Sequence, residues 1–375
     1  AQVGAKMEQR DLEGRIFREV IKLARVHATE IERRYPKILR RVGGYNLDAF
    51  VDPAEDINMC RVVVGSEGTL ATITEATLNL EPLPQAKVLG VIQFKGLVES
   101  MRAVAPILET APAAVELIDK MILDQTKGSL SLSSQRAWVD GDPEAVLAVE
   151  YYGDSVDELH PKLDELEKLL ESLGLGYAFH RAIEAEEQAK VWNVRKAGLG
   201  LLMGIIGDAK PVAFVEDAAV SPEKLPGYIE EFEQIVRAHD TTAGYYAHAS
   251  VGLLHIRPVV NIKSANGIAK MRSIAEQVRD LVLKYGGAVS GEHGDGLVRS
   301  CWNEQMFGPT LYNAFRELKR AFDPEGLRNP GKIVDAPMMT ENLRYGAEYQ
   351  SIEPHTHFDF SSQGGFGRAI EMCNG

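Results

Sequence analysis

The chain has 375 residues, 45% hydrophobic and 25% charged, an ordinary globular composition long enough for two hydrophobic cores. Its formal net charge of −13 excludes the concentrated basic footprint that nucleic acid or an anionic membrane requires, although an acidic whole can still enclose a cationic pocket. Cys60, Cys301 and Cys373 are too sparse for a disulfide scaffold and suit a reducing compartment, no apolar run reaches the ~18 residues of a membrane-spanning helix, and no signal peptide is visible.

The first pattern is an amphipathic helix from about Asp11 to Arg34, with Leu12, Ile16, Val20 and Leu23 at helical spacing and Pro36 as its stop. Arg61 to Gly65 then predicts a short buried strand, followed by a glycine-rich turn to Thr69. Thr72 to Leu80 alternates as a strand does, and Pro82 and Pro84 close the segment. Beyond Gln85, strands are expected at Val88–Phe94, Val115–Ile118, Val146–Tyr151, Tyr177–Ile183 and Val212–Val215. Helices are expected at Val98–Leu108, from Ser155 to about Leu173, at Glu186–Gly198, and at Pro226–His239. Ser155 reads as an N-cap, and Leu159, Leu163, Leu166 and Leu170 as the buried stripe behind it. Strands outnumber crossovers, which predicts an α+β sandwich of ferredoxin-like type with a weak sign of duplication. Residues 336–375 carry prolines and glycines without periodicity and read as a linker.

Two segments carry chemistry. In the run Tyr245 to Pro258, Gly252 offers a turn between two alternating stretches. A hairpin centred on Val251 and Gly252 sets His248 opposite His255, within reach of one ion, with Arg257 on the same face; a polar sheet face without metal is the plainer reading. The second run, Gly286 to Gly296, follows an amphipathic helix at about Ile268–Lys284 and surrounds Glu292 and His293 with five glycines. His248, His255 and Glu292 form a two-histidine, one-carboxylate set that suits Zn and also Fe or Mn, with a coordination position left open. His293 is then available as a general base. Arg195 suits a bidentate grip on a carboxylate, or else is a solvated helix charge, and Lys210 stands before the next strand. No GxGxxG follows a strand, so a nicotinamide cofactor is not expected.

In this order, Val64–Leu70, His248 to His255, Gly291-Glu292-His293-Gly294 and Phe322 to Lys332 resemble the FAD-linked oxidase family, in its D-lactate and D-2-hydroxyglutarate dehydrogenase branch. The resemblance spans residues 61–335 and implies a vanillyl-alcohol-oxidase type flavin domain. It implies that 1–84 is the second half of that domain and 85–320 a substrate (cap) domain. Residues 321–335 would return to the flavin, and 336–375 would lead toward an iron–sulfur domain. FAD would lie along Gly65, Ser66, Glu67, Gly68, Thr69, Leu70 and Ile73 through backbone groups, with Asn329 reaching the flavin. His248, His255 and Glu292 would hold the metal, and His293 would be the base. Arg195 and Lys210 would bind the substrate carboxylate, with Arg257 where that branch has Asn.

The implied reaction oxidises a D-2-hydroxyacid to its 2-oxoacid, with hydride transfer to FAD. Electrons would pass on through an iron–sulfur domain, a quinone or an electron-transfer flavoprotein. The tail resembles the junction in longer fused bacterial members, where Cys373 would open a cluster-binding run; one cysteine cannot hold a cluster. The family's pyrophosphate-binding segment is not found, so the chain reads as truncated at both ends and weak flavin retention is expected. The alternatives are a glycolate-oxidase type subunit and a flavin-free metal-binding or subunit-docking module. The expected location is the cytoplasm, with peripheral association with the inner membrane and homodimerisation left open.

Overall fold

The computed structural model describes residues 2–352 and 354–372, which leaves Cys373 outside the described residues. The chain forms two compact units: Ala1–Leu80 with Asp217–Ala219 and Val282–Leu343, and Glu81–Glu216 with Val220–Leu281 and Arg344–Gly375. Eight strands run in chain order among the described residues: β1 Ala86–Phe94, β2 Ala114–Asp119, β3 Ala145–Gly153, β4 Ala178–Ala182, β5 Lys210–Pro211, β6 Ala218–Ala219, β7 Ala243–His248 and β8 Leu253–Val260.

The second unit holds an antiparallel sheet ordered β4-β1-β3-β2-β7-β8-β5. Its first four strands, with helices Leu97–Glu109 and Val156–Leu173 as crossovers, have the expected ferredoxin-like order. The helix–strand–strand–helix run recurs as Leu225–Ala238, β7, β8 and Ala265–Tyr285, and the β2–β7 pairing joins the two runs. The Ser155 hydroxyl accepts from the Glu158 N–H as an N-cap. Leu159, Leu163, Leu166 and Leu170 are buried, as their spacing predicts. One face of the sheet packs Leu89, Val91, Ile118, Val146 and Tyr246 against Val191, Val194 and Leu202 of the helix Ala185–Met203.

The first unit is mainly helical. The predicted helix from Asp11 to Arg34 is two helices, Leu12–Val26 and Ala28–Arg34, broken at His27, whose ψ of 15° leaves the helical range. Helix Asn303–Phe322 packs on both rather than within the sheet unit, because its buried aromatics belong here: Tyr35 meets Phe307 at 5.2 Å and Tyr45 meets Phe315 at 5.6 Å between centroids. The second unit therefore ends its inner stretch at Leu281, whereas the sequence reading carried it through 320.

Three strand expectations fail. Arg61–Gly65 contains the helical turn Cys60–Val63, in which Val62 alone is buried. Val212–Val215 is irregular, and the strand there is the earlier Lys210–Pro211. Thr72–Leu80 has the alternation but forms no strand and no pairing, and Leu78 and Leu80 are exposed. A strand needs a neighbour for its backbone groups, and the described residues supply none to this one. The tail also differs from a bare linker: Arg368 pairs with Asp208, and Glu371 with Lys263 at 2.6 Å, which ties the short helix Phe366–Glu371 to the second unit. No helix among the described residues is long and apolar enough to cross a membrane.

Candidate functional site

In the sheet unit, functional side chains leave the strands at a period of two. Ile118 and Tyr246 lie in the core packed against helix Ala185–Met203, so Glu116 and His248, two residues away on each strand, share that face. They are direct cross-strand partners: His248 Nδ1 lies 2.7 Å from Glu116 Oε1. Arg195 Nη2 donates to the other carboxylate oxygen at 2.8 Å, and its guanidinium lies 4.8 Å over the Tyr246 ring. Tyr246 in turn stacks on His255 at 4.8 Å. Arg257, two residues beyond His255, pairs with Glu216; both are buried. Burial, reinforced by Glu216, pushes the Tyr246 hydroxyl above its ordinary range, and Arg257 opposes the shift.

The hairpin differs in register from the expectation. His255 pairs with Tyr246, and His248 with Leu253. The cause is the 3-10 turn Ala249–Val251, closed by Gly252 at φ 70°, which moves the turn centre one residue toward the N-terminus. A side chain on Gly252 would lie 1.7 Å from the Val220 carbonyl oxygen, so this turn requires glycine. The shift in pairing is two residues, so both histidines keep one face. Their ring centroids are 5.2 Å apart in an edge-to-face arrangement. Lys210 does not join this network. Its ammonium donates to the Ile205 carbonyl, and burial lowers its pKa, with Glu371, Lys263 and Asp208 as the neighbouring charges.

In the first unit the site residues come from loops, and the anchor is Asp217. This buried carboxylate accepts from the N–H groups of Gly291 (3.0 Å), Glu292 (3.0 Å) and His293 (2.9 Å) and from the Ser290 hydroxyl (3.0 Å). Asp217 has a φ of +78°, a strained conformation for a non-glycine residue that these bonds hold in place. Glu292 and His293 approach within 3.3 Å, with the His293 side chain 43% exposed. A second carboxylate, Glu67, accepts from the N–H groups of Asp295 (2.6 Å) and Gly296 (2.9 Å). A side chain on Gly294 would come within 2.9 Å of Glu67 Oε1. Asn329 donates to the Glu67 carbonyl at 2.7 Å, and Lys319 bridges the carbonyls of Thr69 and Arg328. Three of the four sequence motifs thus converge within this unit. Asp295 beneath them is fully buried, and burial raises its carboxyl to about 6.

A model of the C-terminal domain of FAD linked oxidases matches residues 83–333. The chain belongs to this family. Among relatives of this FAD-linked oxidase chain, a D-2-hydroxyglutarate dehydrogenase of Pantoea ananatis is 33% identical over 333 residues, 86% of this chain and 32% of that protein. A D-lactate dehydrogenase of Archaeoglobus fulgidus is 30% identical over 278 residues, 74% of this chain and 58% of that one. A solved 4-ethylphenol oxidase of Gulosibacter chungangensis, in complex with isoeugenol, aligns over 69% of this chain and 56% of its own with 14% identity and a TM-score of 0.49. The chain spans about a third of the length of the D-2-hydroxyglutarate dehydrogenases it matches.

The family implies FAD, and the loop Gly65–Leu70 has backbone to offer such a group. Ser66, Thr69 and Leu70 turn inward, and Glu67 is engaged by Asp295 and Gly296. The chain turns there on positive φ at Gly65, Glu67 and Gly68, and a side chain on Gly68 would meet nothing within 4 Å. What remains for a cofactor is backbone, approached closely; Ile73 beyond it is exposed. Glu116, Glu216, Asp217 and the anchoring role of Glu67 escaped the sequence reading. Glu116 had a signal, a charge flanked by apolar residues on both sides within the strand Ala114–Asp119. Asp217 had none, since its partners lie more than seventy residues away.

Proposed function

We propose that this protein oxidises a D-2-hydroxyacid, D-2-hydroxyglutarate or D-lactate, to the 2-oxoacid. The observation that carries the reading is the polar face on β2, β7 and β8, where two imidazoles and Arg257 share one side of a sheet and Arg195 reaches it from helix Ala185–Met203, in a chain of net charge −13. Among the described residues the Nε–H groups of Arg195 and Arg257 are buried without a hydrogen-bond acceptor, which suits a site that receives a carboxylate. Family membership supports FAD as the oxidant, and the names of the relatives support the substrate class.

In this reading His248, His255 and Glu292 hold a divalent metal, Zn before Mn or Fe, because imidazole and carboxylate are its ordinary ligands. Arg195 and Arg257 orient the substrate carboxylate, and Lys210, held on the Ile205 carbonyl, is left out of that role. His293, more exposed than Glu292, takes the hydroxyl proton. FAD, when bound along Gly65–Leu70, Ile73 and Asn329, supplies the two-electron acceptor. Electrons then leave to an iron–sulfur group, a quinone or an electron-transfer flavoprotein.

Anaerobic flavin reduction by a panel of D-lactate, D-2-hydroxyglutarate and glycolate tests this. Bleaching by one D-2-hydroxyacid, slowed by orders of magnitude in His293→Ala at unchanged flavin content, is expected. No bleaching by any hydroxyacid in a flavin-loaded protein overturns it. Preference for glycolate moves the chain to the glycolate-oxidase type.

A further inference from the structure

We infer that Glu116 is a positioning residue that fixes the imidazole tautomer of His248 and the pose of Arg195 with a single carboxylate. The inference rests on the reading of His248 as a metal ligand and Arg195 as a carboxylate grip, and it assigns the group that prepares both.

The geometry is specific. Glu116 stands near the middle of β2, directly opposite His248 on β7, and only 11% of its side chain is exposed. One carboxylate oxygen meets His248 Nδ1 at 2.7 Å; the other accepts from Arg195 at 2.8 Å. A carboxylate paired with a guanidinium has only lone pairs to offer, so the proton in the bond to His248 sits on Nδ1. The lone pair of that imidazole is then on Nε2, the nitrogen whose electrons a metal would use. A carboxylate behind a ligand histidine orients the ring and raises its basicity. The same carboxylate holds Arg195 edge-on while Tyr246 supports its face, and Tyr246 also stacks on His255. Both histidines and the arginine are therefore referred to two side chains on adjacent strands. Packing alone does not account for a glutamate here: its strand neighbours Val115, Leu117 and Ile118 are wholly buried apolar residues, and a buried charge is costly unless paired.

Glu116→Gln separates this role from simple packing. Glutamine keeps the volume and can still accept from Arg195, but its amide then presents N–H toward His248 Nδ1 and favours the opposite tautomer. The experiment is long-range imidazole nitrogen NMR on histidine-labelled, metal-free full-length protein, with His248 assigned by its loss in a His248→Gln sample. Zn affinity of parent and variant is then measured by chelator competition. Expected are the Nδ1–H tautomer in the parent, its loss in Glu116→Gln, and Zn affinity lower by about 10–100-fold. An Nε2–H tautomer in the parent, or an unchanged tautomer in the variant, overturns the inference; the parent measurement alone suffices if the variant does not fold. The expected tautomers in a parent that binds no Zn leave Glu116 in its role and overturn the metal reading instead.

Discussion

The two units place functional side chains by opposite means. In the sheet unit, Glu116, His248, His255 and Arg257 come off strands whose period of two fixes their direction, and they hold one another through side-chain pairs. In the first unit, Glu292 and His293 come off a glycine-rich loop with no period. Their positions are fixed by backbone N–H groups gathered onto a distant carboxylate, Asp217. A sheet supplies geometry before any polar contact forms, whereas the loop has no geometry without its anchor.

The largest expected effect follows from that contrast. Asp217→Ala leaves the N–H groups of Glu292 and His293 and the Ser290 hydroxyl without their acceptor, while Gly291 keeps its bond to the Asp217 carbonyl. The cost should be on the order of 4 kcal/mol, with fast hydrogen exchange at Glu292 and His293. Unchanged exchange there would mean the loop holds its own shape and the contrast is wrong. By comparison, His248→Ala with His255→Ala should leave the sheet folded, because the β7–β8 pairing is a backbone ladder.

Next comes a pH effect in the loop unit. The Asp295 carboxyl is raised to about 6 by burial, against about 3.9 when unfolded. Below about pH 4 both states are protonated and the group contributes nothing. Between about 4 and 6 only the folded state keeps the proton, so stability falls as pH rises; above 6 the loss is complete, on the order of 3 kcal/mol. Asp295→Asn mimics the protonated acid and should gain on the parent across that window in denaturant titrations. A parallel pH dependence in the two proteins would show that the site is better solvated than its burial implies.

The smallest effect belongs to the sheet unit. Ser155→Ala removes one cap from helix Val156–Leu173 and should cost about 1 kcal/mol in the midpoint of unfolding, with no change in the exchange of Gly291–His293.

Legibility followed the same divide. The stripe Leu159-Leu163-Leu166-Leu170, its serine cap and the ferredoxin-like order were readable because periodicity and capping are local. The common face of the two histidines was readable too, but their register was not, since it hangs on a 3-10 turn at Ala249–Val251 that composition does not announce. Thr72–Leu80 shows the limit of alternation: the pattern prescribes two faces, but pairing requires a neighbour. The glycine density around Glu292 marked a ligand loop, while Asp217 and Glu67, which hold it, were out of reach because their bonds span 75 and 228 residues.

The chemistry proposed for the sheet face depends on His248 and His255 serving a metal. Elemental analysis of the purified protein beside a His248→Ala, His255→Ala double variant tests it most directly. About one equivalent of Zn, Mn or Fe per chain is expected in the parent and none in the folded variant. Equal metal in both, or none in the parent under metal-replete conditions, would contradict it and leave the two histidines as ligands of the hydroxyacid itself.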